Sequence, residues 1–157
     1  MRPQLSGPNQ VDAFHRLDAD AADLRAALLW ATQPDGSTEL ALRLVGELWH
    51  YWELTEDVSE QCQIALELVD ATPNASPALM APALSGTATM CWVLGRNDQA
   101  TNYHDRALHA FRCAGDDPGV AWSTACLAVC AAERGDWVAV KRLAEEALLS
   151  PSANSAT

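Results

Sequence analysis

The strongest constraint in this sequence is a pattern written twice between Cys91 and Leu148. Gly95 is followed twelve and thirteen positions later by Ala107 and Leu108, and Gly135 in the same way by Ala147 and Leu148. Each glycine follows an apolar run, Leu84 to Leu94 and Val120 to Ala132, and precedes an amphipathic one. Each copy therefore reads as helix, tight turn, helix, at an offset of 40 residues. A period of that size signals stacked helical hairpins. One hairpin cannot bury both faces of its helices, so copies stack to complete a core.

The rest of the chain follows from this frame. Residues 1–8 hold two prolines and a glycine without periodicity and read as a flexible lead-in. Val11, Phe14 and Leu17 recur at threes, enough for a short helix. Asp18 or Asp20 is placed to cap the next one, whose Leu24, Ala27, Leu28 and Ala31 form one apolar stripe. Pro34-Asp35-Gly36 stops it. Ser37 or Thr38 then opens a helix with the stripe Ala41, Leu44, Val45, Leu48 and Trp52, widened by Leu40, Trp49 and Tyr51. Thr55-Glu56-Asp57 makes a turn in which Glu56 takes the place of the turn glycine, so the first copy is degenerate. Ser59 and Glu60 start a helix carrying Cys62, Ile64, Ala65, Leu68 and Val69.

After the break at Thr72 to Pro77, Pro82 is expected in the first turn of a helix or at a kink, because deeper in it removes a hydrogen bond and clashes. The regular copies are expected over 83–94 with 98–112 and over 119–134 with 136–149, joined by a loop at 114–118. The repeat domain thus spans 9–150, and the small polar stretch 151–157 is expected to be a disordered tail. No alternating β-branched run appears, and the fold class is all-α.

A net charge of −11 and a sequence pI near 4.5 repel phosphate backbones and argue against direct nucleic-acid binding by these residues. A basic partner fits better. No signal-peptide pattern or apolar span long enough for a bilayer is read in these residues, so a cytoplasmic location is expected. Five cysteines, odd in number and mostly within apolar runs, fit reduced thiols. Cys126 and Cys130 share a helical face at i, i+4, a spacing that holds zinc elsewhere. Two further ligands are missing, so neither metal nor cofactor is expected. His50 and Glu53 at i, i+3, and His104 and His109 near Asp105, lack the third group that acid–base or metal chemistry needs. Asp116-Asp117-Pro118-Gly119 fits a loop cap better than a calcium fragment. With no nucleophile constellation in view, the chain is read as non-enzymatic.

The spacing of Gly95, Ala100, Ala107 and Leu108, with Leu127, Ala128, Gly135, Asp136, Ala147 and Leu148, resembles tetratricopeptide repeats in a longer, roughly 40-residue variant. Ala88 and Ala128 sit where that repeat wants a small residue; Thr87 and Val140 depart from it. A narrower resemblance runs from Phe14 to Ser150. The stretch from Asp23 to Ala31, Glu39-Leu40-Ala41-Leu42-Arg43-Leu44, Leu48-Trp49-His50-Tyr51-Trp52 and Ser59-Glu60 are similar to the repeat region of large bacterial transcriptional regulators. In that family an NB-ARC-like ATPase is followed by tetratricopeptide repeats, with a DNA-binding domain of LuxR or winged-helix type at one end.

The resemblance implies a right-handed α-solenoid of about three hairpins plus an N-terminal helix. It also implies a protein-interaction and signal-sensing role, with a protein or peptide, other domains of the same regulator or a small effector as partner, and self-association as a further possibility. This chain has no phosphate-binding loop of the Gly-x-x-x-x-Gly-Lys-Ser/Thr kind and no helix-turn-helix signature, so ATPase and DNA-binding roles would lie elsewhere. A stand-alone adaptor, and a small-molecule receptor with its pocket between Trp-rich helices, are the alternatives.

Repeat register sets Arg43, His50 and Glu53 from the first copy, Ser85, Thr89 and Trp92 from the second, and Trp122 and Glu133 from the third along one concave groove. Of the six tryptophans, Trp30, Trp49 and Trp52 fall on apolar stripes and are expected in the core. Trp92 and Trp122 are either anchors for a partner or further core.

Overall fold

The computed structural model describes residues 10–54 and 58–149, all helices and short connections with no strand among them. The helices are α1 (Gln10–Ala19), α2 (Ala21–Ala31), α3 (Thr38–Trp52), α4 (Val58–Ala71), α5 (Pro77–Val93), α6 (Asn97–Ala114), α7 (Asp117–Glu133) and α8 (Trp137–Leu149). Two helices precede α3, one over the Val11, Phe14 and Leu17 spacing and one over the stripe from Leu24 to Ala31. The expected lead-in at 1–8, the turn containing Glu56 and the tail at 151–157 lie outside the described residues. None of the described helices is long and apolar enough to cross a membrane.

One turn is used three times. Gly95, Gly115 and Gly135 have φ of 71°, 68° and 74°, the left-handed region that glycine enters without steric cost. In each case the next residue's N–H reaches back to a carbonyl in the last helical turn: Arg96 to Cys91 and Asp116 to Phe111 at 2.9 and 3.0 Å, Asp136 to Ala131 at 3.0 Å. This closure satisfies carbonyls that a helix end would otherwise leave unpaired. The following helices are capped where the sequence offers an oxygen. Ser37 accepts from Leu40 N–H, Asp116 from Gly119 N–H and Asp136 from Ala139 N–H. Asp20 holds the N-cap position of α2, but its side chain makes no capping bond.

Pro82 is not in a first turn, one of the two places expected for it. Helix α5 begins at Pro77, where a missing N–H costs nothing, so Pro82 lies inside the helix and beyond its first turn. Its ring faces α3, and a Cβ added to Gly46 would stand 2.9 Å from Pro82 Cβ. Helix α7 likewise starts earlier than expected, with Pro118 in its first turn rather than in a loop.

Helix α5 is the centre of the packing. It contacts α3, α4 and α6 extensively and α7 more lightly, and every residue from Ala83 to Cys91 is buried. The hydroxyls in that run are satisfied within the helix: Thr87 donates to Ala83 O at 2.8 Å and Thr89 to Ser85 O at 3.0 Å. Thr87 thus fills a position where the repeat pattern wants an apolar side chain without leaving a polar group unpaired. The main core joins α1 to α6 through residues such as Leu28, Val45, Trp52, Val69, Leu84 and Phe111. A smaller cluster of Leu108, Leu127, Ala131 and Leu143 joins α6, α7 and α8. Trp52 is core as expected, at 3% exposure, whereas Trp30 is 54% exposed. Helix α2 packs on α1 and α3, and Trp30 lies off the face that buries Leu28 and Ala31.

Alternate helices are tied by a ladder of polar contacts. Arg25 of α2 pairs with Glu60 of α4 at 2.5 Å. On α4, Asp70 accepts from Tyr103 Oη and Arg106 of α6, both at 2.7 Å. Arg112 of α6 pairs with Glu146 of α8. In each link the two partners are 33 to 36 residues apart in sequence. The exposed ion pairs are screened by solvent and add little to stability. Their regularity says more about geometry than about stability.

Candidate functional site

Trp49, Trp92 and Trp122 are carried by α3, α5 and α7. Small residues on α5 let it approach α3 closely: a Cβ added to Gly86 would lie 2.7 Å from the side chain of Trp49. Trp49 extends past that point and meets Trp122 of α7, with ring centroids 5.9 Å apart and planes tilted by 40°. Beside this pair opens a cleft of about 250 Å³ lined by Trp49, His50, Glu53, Thr89, Trp92, His104, Trp122, Cys126, Val129 and Cys130. Its walls come from α3, α5 and α7, and α6 contributes His104.

Five residues that repeat register set in the groove, His50, Glu53, Thr89, Trp92 and Trp122, line this cleft. Glu133 stands next to it, accepting the Trp92 indole N–H at 2.9 Å. The other two do not join them. Ser85 is buried in α5 at 3% exposure, because every side of that part of the helix is covered. Arg43 pairs with Glu39 at 3.2 Å and borders a separate depression with Glu47, Leu79 and Pro82, toward the other end of α3. Sequence periodicity did not mark Trp49, His104, Cys126, Val129 or Cys130 as lining. The only hint was the breadth of the α3 stripe, which left Trp49 on its edge.

The polar groups of the cleft are held under tension between burial and pairing. His50 Nδ1 lies 2.7 Å from Glu53 Oε1, within ion-pair range but not aligned as a hydrogen bond. Burial raises the Glu53 carboxyl above its usual range, and the attraction of His50 only partly offsets this. His104 is 2% exposed, and its buried Nδ1 has no hydrogen-bond partner. Burial pushes its imidazole down to about 4, so the ring is neutral at pH 7. Burial also pushes the Cys126 thiol up to about 12, helped by Cys130 and by Glu53. The Cys130 thiol is raised as well, again chiefly by burial.

These shifts leave the thiols and the imidazole of the cleft unactivated. A nucleophilic cysteine needs its thiolate favoured by a cation or a helix N-terminus, and Cys126 has the opposite environment. A general base works best near neutrality, which His104 is far from. Among the described residues no three His, Cys, Asp or Glu side chains converge as a metal ion would require. Trp92 and Trp122 keep 39% and 46% of their surface in contact with solvent, so two large apolar groups stand open at the cleft. Comparison with protein-family models, curated proteins and solved structures finds no match to the chain.

Proposed function

We propose that this chain is a non-catalytic sensing module. In this reading it is a right-handed stack of about three tetratricopeptide-like hairpins, preceded by α1 and α2, that belongs to a bacterial transcriptional regulator and works in the cytoplasm. The indole-lined cleft holds a small effector. Occupancy biases the regulator between two arrangements by binding one better than the other.

The observation that carries the reading is the cleft itself: a concavity whose walls are mostly apolar, with a few polar groups converging on it, is the usual form of a ligand site. His104 strengthens it, since a buried imidazole nitrogen without a partner is costly unless something supplies the bond. The hairpin stack is supported by the three matching glycine turns and by polar links whose partners lie 33 to 36 residues apart. The regulator assignment rests on the resemblance of the stretches from Asp23 to Ala31 and from Leu48 to Trp52.

A thermal-shift screen of a metabolite library against the wild-type chain and Trp122→Ala tests it. A ligand at 100 times its Kd adds about 2.7 kcal/mol, enough for a clear rise in Tm. Compounds that raise the wild-type Tm and leave the variant unmoved support the reading. A screen without such a compound contradicts it. A second reading, an adaptor that docks a protein, is favoured by the exposed Trp137, Val138 and Leu148 of α8.

A further inference from the structure

The composition of the cleft says more than that it is apolar. Three indoles line it, two glutamates stand in it or at its edge, and no lysine or arginine is among its lining residues. Indole faces carry negative charge density and attract cations held within about 6 Å of the ring, most strongly where water is excluded. Glu53 is only 16% exposed along its side chain, and the neighbouring imidazole is not aligned to bond it well. Glu133 spends one oxygen on Trp92 N–H, which fixes the indole while keeping the carboxylate beside it. A carboxylate or phosphate ligand would meet these two acids with no lysine or arginine among the lining residues to receive it. A neutral ligand would add nothing to what His50 and the Trp92 indole already give them.

We infer that the cleft takes a small organic cation, a compact alkylated ammonium ion whose methyl groups pack on the indoles while Glu53 and Glu133 balance its charge. The inference rests on the reading of the cleft as an effector site and adds the chemical class of the effector. An alkylated ammonium suits the walls better than a bare one, because it sheds water easily and offers apolar surface to Trp49, Trp92 and Trp122. His104 remains available for a polar substituent on the same molecule, since a neutral imidazole offers one donor and one acceptor.

Isothermal titration of the full chain with choline, with tetramethylammonium and with the neutral isostere of choline, in which carbon replaces nitrogen, tests this. Both cations are expected to bind saturably, with the isostere weaker by about tenfold or more, the scale of one desolvated cation–π contact. Glu133 is exposed and makes no core contact, so Glu133→Gln keeps the fold; it is expected to weaken choline several-fold and leave the isostere unchanged. Equal affinity for choline and its isostere would overturn the inference and leave an apolar effector cleft standing. No saturation by either cation up to about 10 mM, the weak limit of useful binding, would also overturn it. In that event the metabolite screen decides separately whether the cleft is an effector site at all.

Discussion

Gly86 and Trp49 are in the closest helix-to-helix relationship that shapes the cleft: the indole occupies the space where any other residue at position 86 would place its Cβ. Trp49 is thereby led across α5 to Trp122. One missing side chain on one helix thus aligns indoles from two others.

Substitution here is expected to be felt in both stability and shape. Gly86→Ala would put a methyl group 2.7 Å from Trp49, and overpacking of this kind costs about 1–3 kcal/mol. Gly95→Ala is the contrasting case. Nothing stands within 4 Å of the added Cβ, and the loss of about 1 kcal/mol comes from the positive φ alone. Urea unfolding gives both values, and near-ultraviolet circular dichroism should change for Gly86→Ala and hold for Gly95→Ala.

His104 predicts a pH dependence. Its folded-state pKa, about 4, is below the unfolded value near 6.5, so the folded chain binds fewer protons between them. The stability it permits is full above about pH 6.5 and declines as pH falls toward 4. The size is on the order of 3 kcal/mol, from the rule that one unit equals about 1.4 kcal/mol. Unfolding midpoints at pH 7 and pH 5 for wild type and His104→Leu measure it: the wild type should lose distinctly more on acidification than the variant.

Tyr103 reports on the ladder between α4 and α6. Its phenol is pushed up to about 12, chiefly by burial and then by the bond to Asp70, and so stays protonated as the donor in that bond. Tyr103→Phe should cost about 1 kcal/mol, the net worth of one such bond. If Asp70→Asn and Tyr103→Phe lose stability independently, with no coupling in a double-mutant cycle, the bond is not contributing.

The sequence made the turns legible because a left-handed helix end is a local demand that glycine meets at fixed spacing, as at Gly95 and Gly135. Trp92 and Trp122 were legible as candidate anchors because repeat register sets them on corresponding helices. His104 and Cys126 were not. Their place depends on how α6 and α7 cross α5, a long-range relation that no single helix period encodes. Ser85 was assigned to the groove because α5 was expected to keep a free side, but the run from Ala83 to Cys91 is buried throughout. Pro82 lies beyond the first turn because the helix already starts at Pro77.

The claim on which the account depends is that Trp92 and Trp122 wall an open cleft. Trp52, at 3% exposure, supplies the internal standard, and its truncation to alanine should cost about 3–5 kcal/mol through lost contacts and a cavity. The direct measurement is urea unfolding of Trp122→Ala and Trp92→Ala beside Trp52→Ala. The account predicts that the first two stay folded and lose no more than about half of what Trp52→Ala loses, since 46% and 39% of their surface already faces solvent. Losses equal to that of Trp52→Ala would place both indoles in the core and leave no cleft for a ligand.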